Sequence, residues 1–341
     1  MAKNVKLADI ANQVGVSVVT VSKALSGQKG VSDKLREKII ALADDLGYQH
    51  PSKGKNESGS RKQNVGILIH EKHFSKYNSF YLQMYQMLVT QLVGQGDYGI
   101  LEVISREMEQ DGILPNILKE GNLDAIVLLG EFSKSYCEFL KSENKIAVYC
   151  LDFSDEKKEV NSVISDSFYG AYYLTNYLFE QGHKDIAFVG SIFATSSIMD
   201  RYLGYTKSIM EHGQNIRPDW RIEDRDFETG FIFEPEKLML PLERPTAFVC
   251  NCDLTAGVLI KHLEQEGYSV PEDYSVVGYD NFIFPGTCDV EITTYEVDMF
   301  QMVKTLVEIM NRQSKENDSG GKTHIVTGHL VVKNSVKKLL A

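Results

Sequence analysis

From Val65 to near the C-terminus, short apolar runs alternate with helix-period segments, and this alternation most constrains the fold. The runs are Val65–Ile69, Ile100–Ile104, Ala125–Leu129, Ile146–Leu151, Asp185–Val189, Thr246–Cys250 and Tyr274–Val277. Between them lie helical segments such as Phe80–Val93 and Ser167–Glu180; in the first, Tyr81, Met84, Tyr85, Leu88 and Leu92 recur at helical spacing. Such alternation predicts parallel sheets with helices on both faces. Ligands of such sheets bind at the carboxyl ends of the strands. Here those ends carry His70, Glu131, Asp152, Ser191, Asp253 and Asp280.

No catalytic constellation accompanies this polar set. The run from Gly190 to Ser197 lacks the spaced glycines of a dinucleotide loop or a P-loop. Gly-x-Ser-x-Gly and His-Glu-x-x-His are absent. The expectation is a non-enzyme with no catalytic residues, no cofactor and no metal. Cys137, Cys150, Cys250, Cys252 and Cys288 are odd in number and scattered, which suits reduced thiols better than a disulfide framework.

The first sixty residues read differently. Leu7, Ile10, Ala11 and Val14 form one apolar helical face, and Gly15 supplies a turn. Ser17 is placed to cap a second helix with Val21, Ala24 and Leu25 inward. Ser32 opens a third, striped by Leu35, Ile39, Leu42 and Leu46 and stopped at Gly47. The first pair has the helix-turn-helix layout, in which early residues of the second helix face DNA bases. Those residues are Ser17, Val18, Val19, Thr20, Ser22 and Lys23. Exposed valines suit thymine methyls, and Lys23 suits guanine acceptors.

Charge supports this reading. The chain has 341 residues and a net charge of −11. Residues 1–62 hold eleven Lys/Arg against six acids, a net +5, which leaves −16 for the rest. A basic module on an acidic body is the footprint of a DNA-binding head. No apolar run is long enough to span a bilayer, and Met1–Ile10 has no secretory core. A cytoplasmic protein without membrane contact is expected.

Val5 to Tyr48, with VSVVTVSKAL and VSDKLREKI, closely resembles the DNA-binding domain of the lactose/galactose repressor (LacI/GalR) family. The resemblance continues through EQGHKDIAFVG, DRYLGY, PTAFVCNCDLTAG, VPEDYSVVGYDN and GHLVVKNSV. It implies an all-α helix-turn-helix head plus an α/β two-lobed domain similar to periplasmic binding proteins. The expected divisions are a head at 1–49, a linker at 50–64 and a body at 65–341. Within the body, an N-lobe takes 65–163 and 294–323, and a C-lobe takes 164–293 and 324–341.

The resemblance also implies an effector site. Its residues here are Phe80, Tyr81, Asp152, Phe153, Thr195, Ser197, Arg201, Phe227, Cys252, Asp253 and Asp280. At Cys252 a weakly donating thiol replaces the asparagine common in the family, removing one polar contact. Simpler roles compete: core packing for Phe80, Tyr81 and Phe227, an ion pair for Arg201 and Asp280, and a helix cap for Asp253. On the DNA side, Leu7 joins the recognition-helix residues, and Lys53 and Lys55 join from the linker. The family's linker folds into a hinge helix whose leucine wedges into the minor groove. This chain has no leucine between Tyr48 and Val65, so Lys53, Lys55, Arg61 and Lys62 are expected to track phosphates with less bending.

The resulting expectation is a sequence-specific transcriptional regulator, a repressor in the usual sense of the family. It would bind a pseudo-palindromic operator as a homodimer and respond to a sugar, amino sugar or nucleoside. The chain ends KNSVKKLLA without leucine heptads, so pairing of dimers is not expected. Two alternatives are a catalytic or ligand-binding α/β domain with a DNA module attached, and a solute-binding protein serving a transporter.

Overall fold

A computed structural model describes residues 7–25, 30–45, 62–74, 79–143, 146–155, 157, 159–227, 229–282, 287–313 and 321–339. The chain divides into two compact units, Met1–Lys62 and Gln63–Ala341. The linker lysines Lys53 and Lys55, together with Leu46, Gly47 and Arg61, lie outside the described residues.

The head is three short helices, α1 (Leu7–Val14), α2 (Val18–Leu25) and α3 (Asp33–Asp45). Gly15 turns between α1 and α2 at φ +76°, where a side chain would be strained. The Ser17 hydroxyl accepts the Thr20 N–H at 3.1 Å, capping α2. Ile10, Val21, Ala24 and Ile39 close the small core, and Leu7, Leu35 and Leu42 pack against it. Arg36 donates to the Ala24 carbonyl at 3.1 Å, tying α3 to the end of α2.

The body runs β1 (Asn64–His70), α4 (Phe80–Gly94), β2 (Tyr98–Ile104), α5 (Arg106–Gln110), α6 (Asn116–Lys119), β3 (Ala125–Leu129), α7 (Lys134–Glu143), β4 (Ala147–Leu151) and β5 (Asn161–Ser165). It continues with α8 (Ser167–Glu180), β6 (Ile186–Val189), α9 (Ser196–Glu211), β7 (Arg221–Ile222), β8 (Ala247–Cys250), α10 (Asp253–Gln265) and β9 (Ser275–Val277). It finishes with β10 (Thr294–Glu296), α11 (Met299–Gln313), β11 (Thr323–Val326) and β12 (His329–Val331).

Two parallel sheets result. One has the order β11-β5-β4-β3-β1-β2 and the other β7-β6-β8-β9. Strands β1 and β3 are buried on both faces, which is why their sequences read as continuous apolar runs. Ile67, Ile69, Val127 and Leu129 join the core that includes Leu88 of α4 and Leu306 of α11. Leu68, Ile126 and Leu128 face Tyr136 and Leu140 of α7. The second sheet packs Phe248 and Val276 against Leu259, Ile260 and Leu263 of α10. Helices α8 and α9 cross at Gly204, where an added Cβ would lie 2.0 Å from the Phe168 carbonyl oxygen.

The chain passes between lobes three times. It leaves β5 for α8, and β10 pairs with β12 antiparallel before α11 returns to the first lobe. Strand β11 belongs to the first sheet through its pairing with β5, so the third passage follows Val326, three residues beyond the expected Thr323. Beyond β12, Ser335 donates to the Val276 carbonyl at 2.6 Å, and Leu339 N–H donates to the Gln181 carbonyl at 2.8 Å. Those contacts anchor the end of the described chain on the second lobe.

Candidate functional site: a DNA-facing helix and an interlobe cleft

On the head, Val18 is 44% and Val19 63% exposed, while Val21, Ala24 and Leu25 of the same helix are buried. Lys23 is exposed and Ser22 half-exposed. Ser17 and Thr20 share a hydroxyl contact of 2.9 Å, so both sit together at the start of α2. Leu7 is half-buried against the core, so part of its side chain serves packing rather than a DNA surface.

In the body, the strand ends converge. On the first lobe, Asp152 follows β4 in a left-handed conformation, φ 67°. Non-glycine residues adopt that region at a cost and gather at functional sites. The Tyr81 hydroxyl donates to Asp152 Oδ2 at 2.9 Å, and the His73 ring lies 4.3 Å from the Tyr81 ring. Gly130, at φ +77°, leaves the room both rings need; a Cβ there would lie 2.8 Å from His73 and 3.0 Å from Tyr81. Burial pushes Asp152 up to about 6, against the pull of Arg201 and the Tyr81 hydroxyl. Burial, then Lys72, pushes His73 well below its usual value, so its ring is neutral at pH 7.

On the second lobe, Arg201 is 8% exposed. Its Nη1 donates to the Asn251 carbonyl at 2.8 Å, and its guanidinium lies 3.9 Å over the Tyr279 ring. Arg201 Nε has no hydrogen-bond partner among the described residues. Asp280 and Asn281 again take positive φ, at 95° and 52°. Burial and Asp253 push Asp280 well above the usual carboxylate range, against Arg201. In place of the competing ion pair between them, Arg201 holds a backbone carbonyl and Asp280 accepts the Phe282 N–H at 3.0 Å. Across the lobes, Phe80 and Phe282 meet edge to face at 6.1 Å.

Beneath this surface lies a network that no motif announced. Buried Asp224 accepts from Arg225 Nη2 at 2.8 Å, Asn251 Nδ2 at 2.7 Å, the Thr255 hydroxyl at 2.6 Å and the Ser191 N–H at 2.8 Å. Although burial opposes its charge, Arg225 and those hydrogen bonds hold Asp224 below the usual carboxylate range. The network fixes Asn251, whose carbonyl holds Arg201.

Several expected contacts fall elsewhere. Phe153 is buried beside Phe132 in the core on the α7 side, because the turn at Asp152 sends the next side chain away from the cleft. Phe227 is 92% exposed and lines no wall. Asp253 is fully buried; a Cβ on Gly278 would sit 1.9 Å from its Oδ1, so it is a supporting group behind the cleft. Burial pushes Asp253 up to about 7, against Thr294 and Lys333. The cap of α10 is Cys252, whose sulfur accepts the Thr255 N–H at 3.5 Å. Burial pushes that thiol up to about 11, leaving it uncharged. The Thr195 hydroxyl caps α9 by accepting the Ile198 N–H at 3.2 Å, and it meets the Ser197 hydroxyl at 3.0 Å. His70 packs behind the cleft, its Nε2 3.1 Å from Glu109. His73, Tyr279 and Arg225 are additions; only Tyr279, beside Asp280 in GYDN, had a sequence signal.

Two family models match the chain. Residues 6–52 match bacterial regulatory proteins of the lacI family, and residues 175–336 match a periplasmic binding protein-like domain. This chain is a LacI/GalR-family regulator. The HTH-type transcriptional repressor PurR of Vibrio campbellii is 26% identical over 97% of this chain and 98% of its own length. Among solved structures, the lac repressor dimer bound to operator and the anti-inducer ONPF aligns with a TM-score of 0.66 and 20% identity, over 98% of this chain and 100% of that one. The transcriptional regulator CelR in complex with cellobiose gives 0.66 and 19%, over 97% and 99%. The LacI/GalR architecture of head and two-lobed α/β body is therefore this chain's own, and it is a DNA-binding regulator rather than an enzyme.

Proposed function

We propose that this regulator is a cytoplasmic homodimeric repressor whose cleft senses a neutral or amine-bearing polyhydroxylated molecule: a sugar, an amino sugar or a nucleoside. The observation that carries this is the donor balance of the cleft. Asp152 and Glu131 offer acceptors, Asp280 is held toward its neutral form, and among the described residues Arg201 beside them has no carboxylate within ion-pair distance, whereas Arg225 is held by Asp224. Ligand hydroxyls and amines suit such acceptors, and the Phe80 and Tyr81 rings offer an apolar wall. An anionic ligand would face the acids. CelR was solved with cellobiose, and a LacI-family regulator from Enterococcus faecium with ribose.

Closure around the ligand would shift a two-state equilibrium that sets the spacing of the two heads. Val18, Val19 and Lys23 would read half-sites of a pseudo-palindrome, with Ser17, Thr20 and Ser22 on bases or phosphates. Lys53 and Lys55 would track phosphates. The exposed apolar residues Val93, Tyr98 and Ile100 suit the dimer contact.

The test is capture of genomic DNA fragments by the full chain, beside a variant lacking residues 1–62. Enrichment of a few palindromic sites by the full chain alone is expected, and the adjoining genes then define a ligand panel for calorimetry. Binding of anionic members in preference to neutral ones would overturn the effector assignment.

A further inference from the structure

We propose that Glu131 is a latch that holds the two lobes together before any ligand arrives. Glu131 follows β3 on the first lobe, and Ser196 is the first residue of α9 on the second. The Ser196 N–H donates to Glu131 Oε2 at 2.8 Å, and the Ser196 hydroxyl donates to the same oxygen at 3.0 Å. The first N–H groups of a helix have no partner within it and favour negative charge. In α9 the Thr195 hydroxyl takes one of them, at Ile198, from within the same lobe. Glu131 takes another from the opposite lobe, so the contact exists only while the cleft is closed.

The contact lies on exposed Ser196, where water competes. Its strength is therefore that of a charge-assisted hydrogen bond at a rim: enough to bias an equilibrium between open and closed forms, too little to fix it. Glu131 is in this sense a positioning residue. The latch rests on the sensor reading only for its consequence: effector binding starts from a body already biased toward closure.

The experiment uses the full chain after exhaustive dialysis. Hydrogen–deuterium exchange resolved to the first turn of α9 is combined with small-angle X-ray scattering and thermal unfolding. Glu131→Ala should speed exchange there about tenfold, the size of one charge-assisted hydrogen bond's net effect, and raise the radius of gyration. The double variant Glu131→Ala/Ser196→Asp returns an acid to the start of α9 without bridging the lobes. It should recover thermal stability while keeping the larger radius. Unchanged exchange and scattering in Glu131→Ala would overturn the latch, as would a compact double variant. Should Glu131→Ala fold poorly, Ser196→Ala, which loses only the hydroxyl bond, should show a smaller shift in the same direction; no shift at all would count against the latch. All these readings are made without ligand, so they stand apart from a calorimetric panel in which nothing binds.

Discussion

The helix proposed to read DNA and the cleft proposed to sense a ligand expose their side chains in opposite ways. On α2, apolar side chains face outward: Val19 is 63% exposed one turn from fully buried residues. In the cleft, charged side chains face inward: Arg201 is 8% and Asp152 8% exposed. Each breaks the rule that apolar groups are inside and charges outside. The exposed valines cost the head little, because a small apolar group in water is tolerated. The buried charges need support, which Tyr81, Asn251 and the Asp224 network supply. In this chain the proposed DNA-reading surface is carried by three short helices, whereas the proposed sensing cleft rests on two sheets and a buried polar scaffold.

Four outcomes would sharpen or break this comparison. The largest is expected for Arg201→Ala, which should weaken effector binding about a hundredfold, since it leaves the cleft acids without their cation. Operator binding by the ligand-free protein should survive, and calorimetry beside a gel-shift assay separates the two. If both activities fall together, the cleft and the head are not separable as claimed. Next, Val19→Ala should lower operator affinity about tenfold with unchanged stability, as expected for loss of a base contact. Its neighbour Val21→Ala should instead cost the head about 2 kcal/mol in denaturant unfolding, as a buried deletion does.

A smaller effect concerns pH. Burial sets Asp152 at about 6 and Asp253 at about 7 in the folded chain, both above the usual 3.8. A carboxyl with a raised folded value contributes stability that is complete below its unfolded value and is lost as pH rises through the folded one. These two carboxyls therefore contribute a loss of thermal stability between about pH 4 and 7, opposed by His73, whose lowered value contributes stability that is lost as pH falls below its usual 6.5. Asp253→Asn should flatten that decline. Asp224 is held low instead, so it adds only a rise with pH confined to the acid end of this window, where the unfolded carboxyl finishes ionising. A melting profile that rises with pH equally in both proteins would show that Asp253 is not protonated in the fold. The smallest effect is expected for Phe227→Ala. With 92% of its surface in water, its removal should change stability by no more than about 0.5 kcal/mol.

Much of this could be read from the residues in order. The buried runs at Val65–Ile69 and Ala125–Leu129 and the turn at Gly15 follow from local pattern, because periodicity and backbone freedom are properties of neighbouring residues. Short strands such as β5 and β11 escaped that reading: NSVIS and THIV carry too few apolar residues to signal a strand, and pairing defines them, β5 with β4 and β11, and β11 with β5. The recognition of Asp152, Arg201 and Asp280 came from resemblance, and their convergence came from the fold.

Sequence alone therefore determined the class of structure, the basic head and the list of polar groups at strand ends. Only the tertiary structure decided which of those groups face the cleft. It turned Phe153 into the core through the left-handed turn at Asp152, sank Asp253 against Gly278, and brought Glu131 to Ser196 across 65 residues of chain. The physical reason is that burial and hydrogen bonding depend on distances between residues far apart in sequence, which no local pattern encodes.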